Sequence, residues 1–380
     1  MLSLIVNPCT SIGFFRFGMP ISDAIELLKR PSPDKKRTEY PVNKIEIIYN
    51  QHQPVTSDIV IKLVEESIVL RFEPKTQRLR HVEFNDITKV ELNYEGKIFS
   101  GPSVDCTFVK IYQVFGPSTA GVMEDTVYHL SYQGITFQIP IPKKYTHLYG
   151  SDNMLIELPN GTTPVATKMV CHPGVDMDKL KLPTTKNKNG EQVEYFSEVL
   201  VNLKSGITVC KKNVKFYMSP QDVLLELGEP DKIYNKRGNK LRIHAPLASS
   251  DEGTTSVDYF FNYFSRGFDI MFNGNTHQVE KFVFHTNVAG SRDFNIYVKC
   301  NFKIDVGELL DDGKNLVVEP DLKFTTIQSF LSSLSHSKPL VNEDTTANNP
   351  FGGTMLHAYP GVIFEVLKND YLNSVTVFAA

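Results

Sequence analysis

One local pattern recurs four times along this chain, and it constrains the fold more than any other feature. The pattern is a short amphipathic helix, a proline-containing turn, and strands that alternate about a tight turn. The third copy is the clearest. Ser219-Pro220 predicts a helix start, with serine as the cap and proline at the first helical position. Val223, Leu224 and Leu227 share one face of Gln221–Leu227, Gly228 ends the helix, and Pro230 prevents its continuation. Val257–Phe264, Phe268–Phe272 and Gln278–Phe284 then read as strands, with turns at Ser265-Arg266-Gly267 and Asn273-Gly274. In the second copy the helix is Val104–Phe115, ended by Gly116-Pro117, and the strands are Val127–Tyr132 and Ile135–Ile139. The first copy places a helix at Ile21–Lys29 after Gly18-Met19-Pro20, and strands at Ile59–Val64, Ile68–Phe72 and Leu79–Phe84. The fourth places a helix at Ile327–Leu334 and strands at Thr354–Ala358, Val362–Leu367 and Leu372–Phe378.

A lone unit of this kind leaves one sheet face and both sheet edges bare, and pairing units cures that. The expected fold is therefore α+β, with two pseudo-symmetric lobes, each made of two helix–Pro turn–antiparallel hairpin units. The lobes span residues 1–175 and 205–380, with a polar linker and hairpin strand at 176–204. Hydrophobic residues make up 41 % of the 380, enough for a sizeable core, and 25 Phe and 16 Tyr fall mostly in β-prone runs. Met1–Val6 is apolar but is broken by Asn7-Pro8, which reads as an edge strand rather than a signal peptide. The Lys-rich run from Lys179 to Gly190 reads as a mobile loop or linker, and Phe196–Leu203 with Ile207–Val209 as a hairpin. Arg30–Asn43 and Asn235–Thr255 read as polar insertions after the first helix of each lobe.

The search for chemistry assigns no catalytic, cofactor-binding or metal-binding residue. No phosphate loop, nucleophile elbow, HExxH or GxGxxG sequence is present. The ten histidines show no ligand spacing, and His129 and His357 sit at equivalent strand positions, as packing residues do. Cys9, Cys106, Cys171, Cys210 and Cys300 form no CxxC pair and read as reduced thiols of a cytosolic chain. Glu65-Glu66, Asp251-Glu252 and Asp311-Asp312 fall in turns. A net charge of −3 gives no basic field for nucleic acid. No stretch approaches the roughly 20 apolar residues that span a bilayer. Lys35-Lys36-Arg37, Lys143-Lys144 and Lys211-Lys212 are short basic clusters, which keep direct phosphoinositide binding as the alternative to protein binding.

Two segments exceed what the repeat needs: His285–Ile304 and Asn348–Gly353. One reading is turn chemistry plus an extra strand. The other is a partner surface built from His285, Asn287, Arg292, Phe294, Asn295, Tyr297, Phe351 and Gly352, because aromatic and arginine side chains beside amides make good anchors.

At these residues the chain resembles a known family. The run Asp258-Tyr-Phe-Phe-Asn-Tyr-Phe-Ser-Arg-Gly-Phe-Asp-Ile-Met-Phe-Asn-Gly-Asn-Thr-His277, continued by Val279–Asn287, closely resembles the phagosome assembly factor family of eukaryotes. So do Asp293–Tyr297, Asn349–Gly352 and Val362–Val366, with looser matches at Gly18-Met19-Pro20 and Asp86–Val90. The resemblance implies a non-catalytic cytosolic adaptor of autophagy and vesicle trafficking. It implies association with a WD-repeat β-propeller protein of the breast-carcinoma-amplified-sequence type, joint recruitment to the phagophore assembly site, and membrane contact made mainly by the propeller. Thr184–Glu191 and Asp251–Thr255 depart from the family pattern. In that setting two aromatic-x-x-aliphatic segments become candidates for a ubiquitin-like autophagy protein, which such motifs bind as an added strand. They are Phe196-Ser-Glu-Val199 and Phe324-Thr-Thr-Ile327, and the competing reading is that both aromatics are buried core.

Overall fold

Short apolar runs bounded by turn residues become strands, and they dominate the chain. The structure is a computed structural model that describes residues 2–29, 44–119, 121–149, 156–181, 183–187, 189–236, 257–310, 315–334, 338–342 and 352–379. Five sheets lie among these residues. The α-helices are short: α1 (Ile21–Lys29), α2 (Phe108–Phe115), α3 (Pro220–Leu227) and α4 (Phe324–Phe330). The α+β class built from helix–turn–hairpin units is thus corrected to a mainly β fold. Each helix buries only two to four side chains and cannot form a layer of its own. Two helix boundaries also move. Val104 lies outside α2, whose cap is Thr107 accepting from the Lys110 amide, and α4 begins at Phe324. Phe351, His244, His336, Lys35-Lys36-Arg37, Asp251-Glu252 and Asp311-Asp312 lie outside the described residues.

The residues divide into two compact units, Met1–Pro183 and Thr184–Ala380. The first runs β1 (Ser3–Asn7), β2 (Ser11–Ile12), β3 (Phe15–Arg16), α1, β4 (Ile45–Ile48), β5 (Ile59–Leu63), β6 (Ile68–Phe72) and β7 (Leu79–Phe84). It continues β8 (Glu91–Tyr94), β9 (Lys97–Ser100), α2, β10 (Val122–Glu124), β11 (Val127–Tyr132), β12 (Ile135–Pro140) and β13 (Lys168–Cys171). One sheet has the order β3-β2-β1-β8-β9, and the other β10-β11-β12-β13-β7-β6-β5-β4. β1 is therefore no edge strand: it pairs antiparallel with β2 and parallel with β8.

The second unit starts with the hairpin β14 (Thr184–Lys186) and β15 (Gln192–Glu194), inside the stretch expected to be a linker. It then runs β16 (Glu198–Asn202), β17 (Gly206–Val209), β18 (Lys212–Lys215), α3, β19 (Lys232–Asn235), β20 (Tyr259–Tyr263), β21 (Phe268–Phe272) and β22 (Val279–His285). β23 (Asn301–Asp305), β24 (Val317–Val318), α4, β25 (Leu340–Asn342), β26 (Thr354–Tyr359), β27 (Val362–Val366) and β28 (Leu372–Phe378) complete it. The orders β18-β17-β16-β23-β24 and β19-β20-β21-β22-β28-β27-β26-β25 repeat those of the first unit.

The duplication reaches single residues. Ile59 pairs with Phe72 as Tyr259 pairs with Phe272, and a β-bulge falls between Arg71 and Phe72 and again between Met271 and Phe272. The finer helix-and-hairpin repeat shows between α2 and α3, which Gly116 and Gly228 end with φ near +80° and +78°, a conformation that favours glycine. In both places a strand tyrosine secures the cap: Tyr132 donates to the Gly116 carbonyl at 2.9 Å, and Tyr263 to the Gly228 carbonyl at 3.0 Å.

In the second unit the core lies between the two larger sheets and α3 and α4. Phe261, Phe268, Ile270, Phe282, Phe284 and Phe364 meet Val199, Ile207, Phe302, Val223 and Ile327 there. Strand side chains alternate. The face of β20, β21 and β22 turned away from that core therefore carries Asn262, Asp269 and His285.

Candidate protein-docking site

One difference between the two units falls where the extra sequence lies. In the first unit residues 85–90 connect β7 to β8, while in the second residues 286–300 connect β22 to β23. The longer connection covers the outward face of β20–β22. It is tied down by backbone bonds from Val298 N to Phe264 O and from Cys300 N to His285 O, at 3.0 and 2.9 Å. Beneath it Asp269, 6 % exposed, is the centre of a polar network. The Tyr297 hydroxyl lies 2.9 and 2.8 Å from its two carboxylate oxygens, Asn262 donates to it at 2.8 Å, and His285 Nε2 lies at 3.0 Å. The His285 and Tyr297 rings stack with centroids 3.6 Å apart. Burial, and then the neighbouring Asp269 carboxylate, push the Tyr297 hydroxyl well above its ordinary range, so it stays a proton donor. Asn287 and Asn295 both take left-handed φ, at 52° and 64°, which asparagine tolerates. Asn287 Oδ1 accepts from the Asn295 amide at 2.7 Å and so closes the loop. Tyr297 thus ties the segment to Asp269, Asn287 and the Asn295 backbone close it, and His285 is the strand residue on which Tyr297 stacks. Arg292 and Ile296 face outward from it, Ile296 being 52 % exposed, and Phe294 is half-buried.

Arg292 and Gly352, which come from the two expected partner segments, meet at one small cavity of about 70 Å³. Its floor is Glu365. Thr354 and Ser374 donate hydroxyl hydrogens to Glu365 at 2.7 and 2.6 Å, and the amides of Asn373 and Asn342 donate at 3.0 and 3.5 Å. Burial alone would push this carboxyl up. The four hydrogen bonds outweigh it and hold the group below the usual carboxylate range.

Sequence reasoning missed Asp269, Asn262 and Glu365. A signal existed, because each is a polar side chain inside a strand whose neighbours are apolar, and buried polar groups require partners. It also missed a shallow groove of about 330 Å³ over Asp269, walled by Tyr234, Phe260 and Phe264.

The two linear-motif candidates are built into the fold. Phe324 and Ile327 lie on α4, are 3 % and 0 % exposed, and Phe324 packs on His357 and Phe364. Val199 is buried in β16 between β17 and β23, and the half-buried Phe196 precedes it with a left-handed φ of 61°. Neither segment presents an extended strand with both side chains outward.

Cys106, Cys171 and Cys300 are buried, and burial pushes all three thiols up, Cys106 to about 12. Among the described residues no three His, Cys, Asp or Glu side chains converge as metal ligands, and no helix is long and apolar enough to cross a membrane.

Comparison with known proteins gives one family. The sequence model of phagosome assembly factor 1 matches residues 11–378. A PHAF1 protein of Arabidopsis thaliana is 34 % identical over 394 residues, covering 98 % of this chain and 92 % of the relative. PHAF1 proteins of Drosophila melanogaster and Caenorhabditis elegans are 27 % and 26 % identical, covering 100 % and 96 % of this chain and 94 % and 90 % of the relatives. No solved structure matches the chain.

Proposed function

The chain belongs to the phagosome assembly factor 1 family, and we propose that it serves phagosome assembly as a non-catalytic adaptor. In this reading it works in the cytoplasm with a WD-repeat β-propeller protein of the breast-carcinoma-amplified-sequence type. The pair is recruited to the phagophore assembly site, and the propeller makes the membrane contact. Neither aromatic-x-x-aliphatic segment offers a ubiquitin-like protein an exposed strand, because Val199, Phe324 and Ile327 are buried.

One observation supports the docking side above the others. The equivalent connection in the first unit has six residues, whereas 286–300 is tied to the sheet by Tyr297 on Asp269 and closed on itself by Asn287. A pinned loop loses little entropy on binding, which favours its use as a recognition surface. Arg292 and Ile296 are its outward anchors.

Arg292→Ala and Ile296→Ala should leave the melting temperature unchanged. Together they should weaken co-purification of the propeller partner by roughly thirtyfold or more, the size of an interface anchor of about 2 kcal/mol. Undiminished co-purification with both folded variants refutes docking at this segment.

A further inference from the structure

The cavity above Glu365 has an electrostatic property that the adaptor reading alone does not use. Glu365 is held ionised entirely by neutral donors: two hydroxyls and two amides. No lysine or arginine contributes to keeping its charge. Asp293, from the pinned connection, lines the same cavity. Two cations stand at the rim. Arg292 faces outward, and Lys368 Nζ lies 2.8 Å from where a Cβ on Gly352 would sit. Among the described residues the floor therefore carries negative charge without a counter-ion in contact.

The geometry points to a receptor for a basic side chain: an arginine or lysine of the docking polypeptide enters the cavity and pairs with Glu365 and Asp293. This rests on the adaptor reading and names the chemistry that a partner brings to that site. Three features select a basic side chain over a bare metal ion. First, the Glu365 oxygens are already engaged in directional hydrogen bonds, and a metal would have to displace them. Second, Oε1 has one short bond, from Thr354, and one at the limit of hydrogen bonding, from Asn342 at 3.5 Å, which leaves it the open acceptor. Third, about 70 Å³ admits a guanidinium or ammonium head but not a whole residue, so the remainder of the ligand must lie outside. Leu367 in the wall would line the aliphatic stem, as apolar surface does for long basic side chains.

The test follows the backbone amides of Thr354, Asn373 and Ser374 in the full chain by NMR while N-acetyl-arginine-amide is added. Its neutral isostere, N-acetyl-citrulline-amide, is added in parallel. Saturable shifts are expected at these three amides with arginine, and binding weaker by about tenfold or more with citrulline, the factor set by one charge-assisted hydrogen bond. Glu365→Gln should abolish the shifts. Because that variant turns an amide toward Ser374 and Asn373, and so risks the local fold, Asp293→Asn is measured as well and should weaken arginine binding by a similar factor. Equal shifts with arginine and citrulline, no shifts with arginine, or undiminished arginine binding in Asp293→Asn would each overturn the proposal. The adaptor reading is judged separately, by co-purification of the propeller partner with the unmodified chain. Each idea can therefore fail while the other stands.

Discussion

Replacing Tyr297 by phenylalanine removes one hydroxyl and leaves the ring stacked on His285. That hydroxyl lies 2.9 and 2.8 Å from the two oxygens of Asp269 and 3.3 Å from Asn262 Nδ2. Asp269 is 6 % exposed at the foot of the groove, so water replaces the lost donor only in part. A hydrogen bond to a charged group contributes roughly 1.5–3 kcal/mol, and about 2 kcal/mol is the central expectation here because Asn262 and His285 still reach the carboxylate. In a unit of 197 residues (184–380) that corresponds to a melting temperature lower by about 4–8 °C. The loss should be local first. Hydrogen exchange at the amides of Asn295, Val298 and Cys300 should speed up more than exchange in β21 or β27. Partner binding should weaken as well, because the loop would have to be ordered on docking. An unchanged melting temperature together with unchanged exchange at those three amides would refute the view that Asp269 pins the connection.

Three further outcomes follow from the same physics. Burial lowers the proton affinity of His81 and His172, with Arg80 adding to the effect on His81, so the folded form prefers both rings neutral. Their stabilising contribution is complete above the ordinary histidine value of about 6.5 and is lost as pH falls through their folded values; replacing both by Gln should flatten the fall in melting temperature between pH 7.5 and 5.5. Glu365 is held below the usual carboxylate range, so its contribution is complete above about 4.5 and is lost as pH falls through the folded value; Thr354→Val with Ser374→Ala should move the midpoint of acid unfolding to higher pH. Shortening 286–300 to six residues should destabilise the chain, and adding Asp269→Val should restore little of the loss in a thermal melt, because water solvates the uncovered carboxylate.

Much of the strand pattern was legible. Ile68–Phe72 and Leu79–Phe84 are strands with the bounds that their apolar runs and turn residues indicate, because a period of two flanked by turn residues has few other readings. The fold class was not. The helix signals at Ile21–Lys29 and Ser219–Leu227 are real, but a cap and a terminating glycine say nothing about whether a helix forms a layer. Of the five-stranded sheets the hairpin β16–β17 was legible, and the shortest strands were the hidden part. β2, β3 and β24 have two residues each, too few for any periodicity to register. The parallel pairing of β1 with β8 joins residues 3–5 to 91–93, and nothing local announces it. At the candidate site Arg292 and Gly352 could be named from sequence, but their meeting at Glu365 could not, since it depends on β22 and β28 pairing between the two halves of the second unit.

The duplicated register allows a direct comparison of the two outward faces. Where the second unit has the pair Asn262 and Asp269, the first has Lys62 and Val69 at the same rungs of the same ladder. Beside the buried Val69, Arg71 and Glu83 form a half-buried ion pair across β6 and β7 that balances its own charge. An uncovered Asp269 would also be stable, because water would solvate it. What the second unit does instead is bury the carboxylate and supply the donors from a connection that nothing in the sheet requires. The acid and its cover therefore form one device: the carboxylate has no reason to be buried without the loop, and the loop has no fixed conformation without the carboxylate. The Asp269 side chain adds nothing to the ladder hydrogen bonds, and of the connection only Cys300 joins the main apolar core, while the first unit links the equivalent strands with six residues, 85–90. A structure that spends fifteen residues, 286–300, and a buried charge on fixing one loop is organised around what that loop presents. In this molecule it presents Arg292, Asp293 and Ile296.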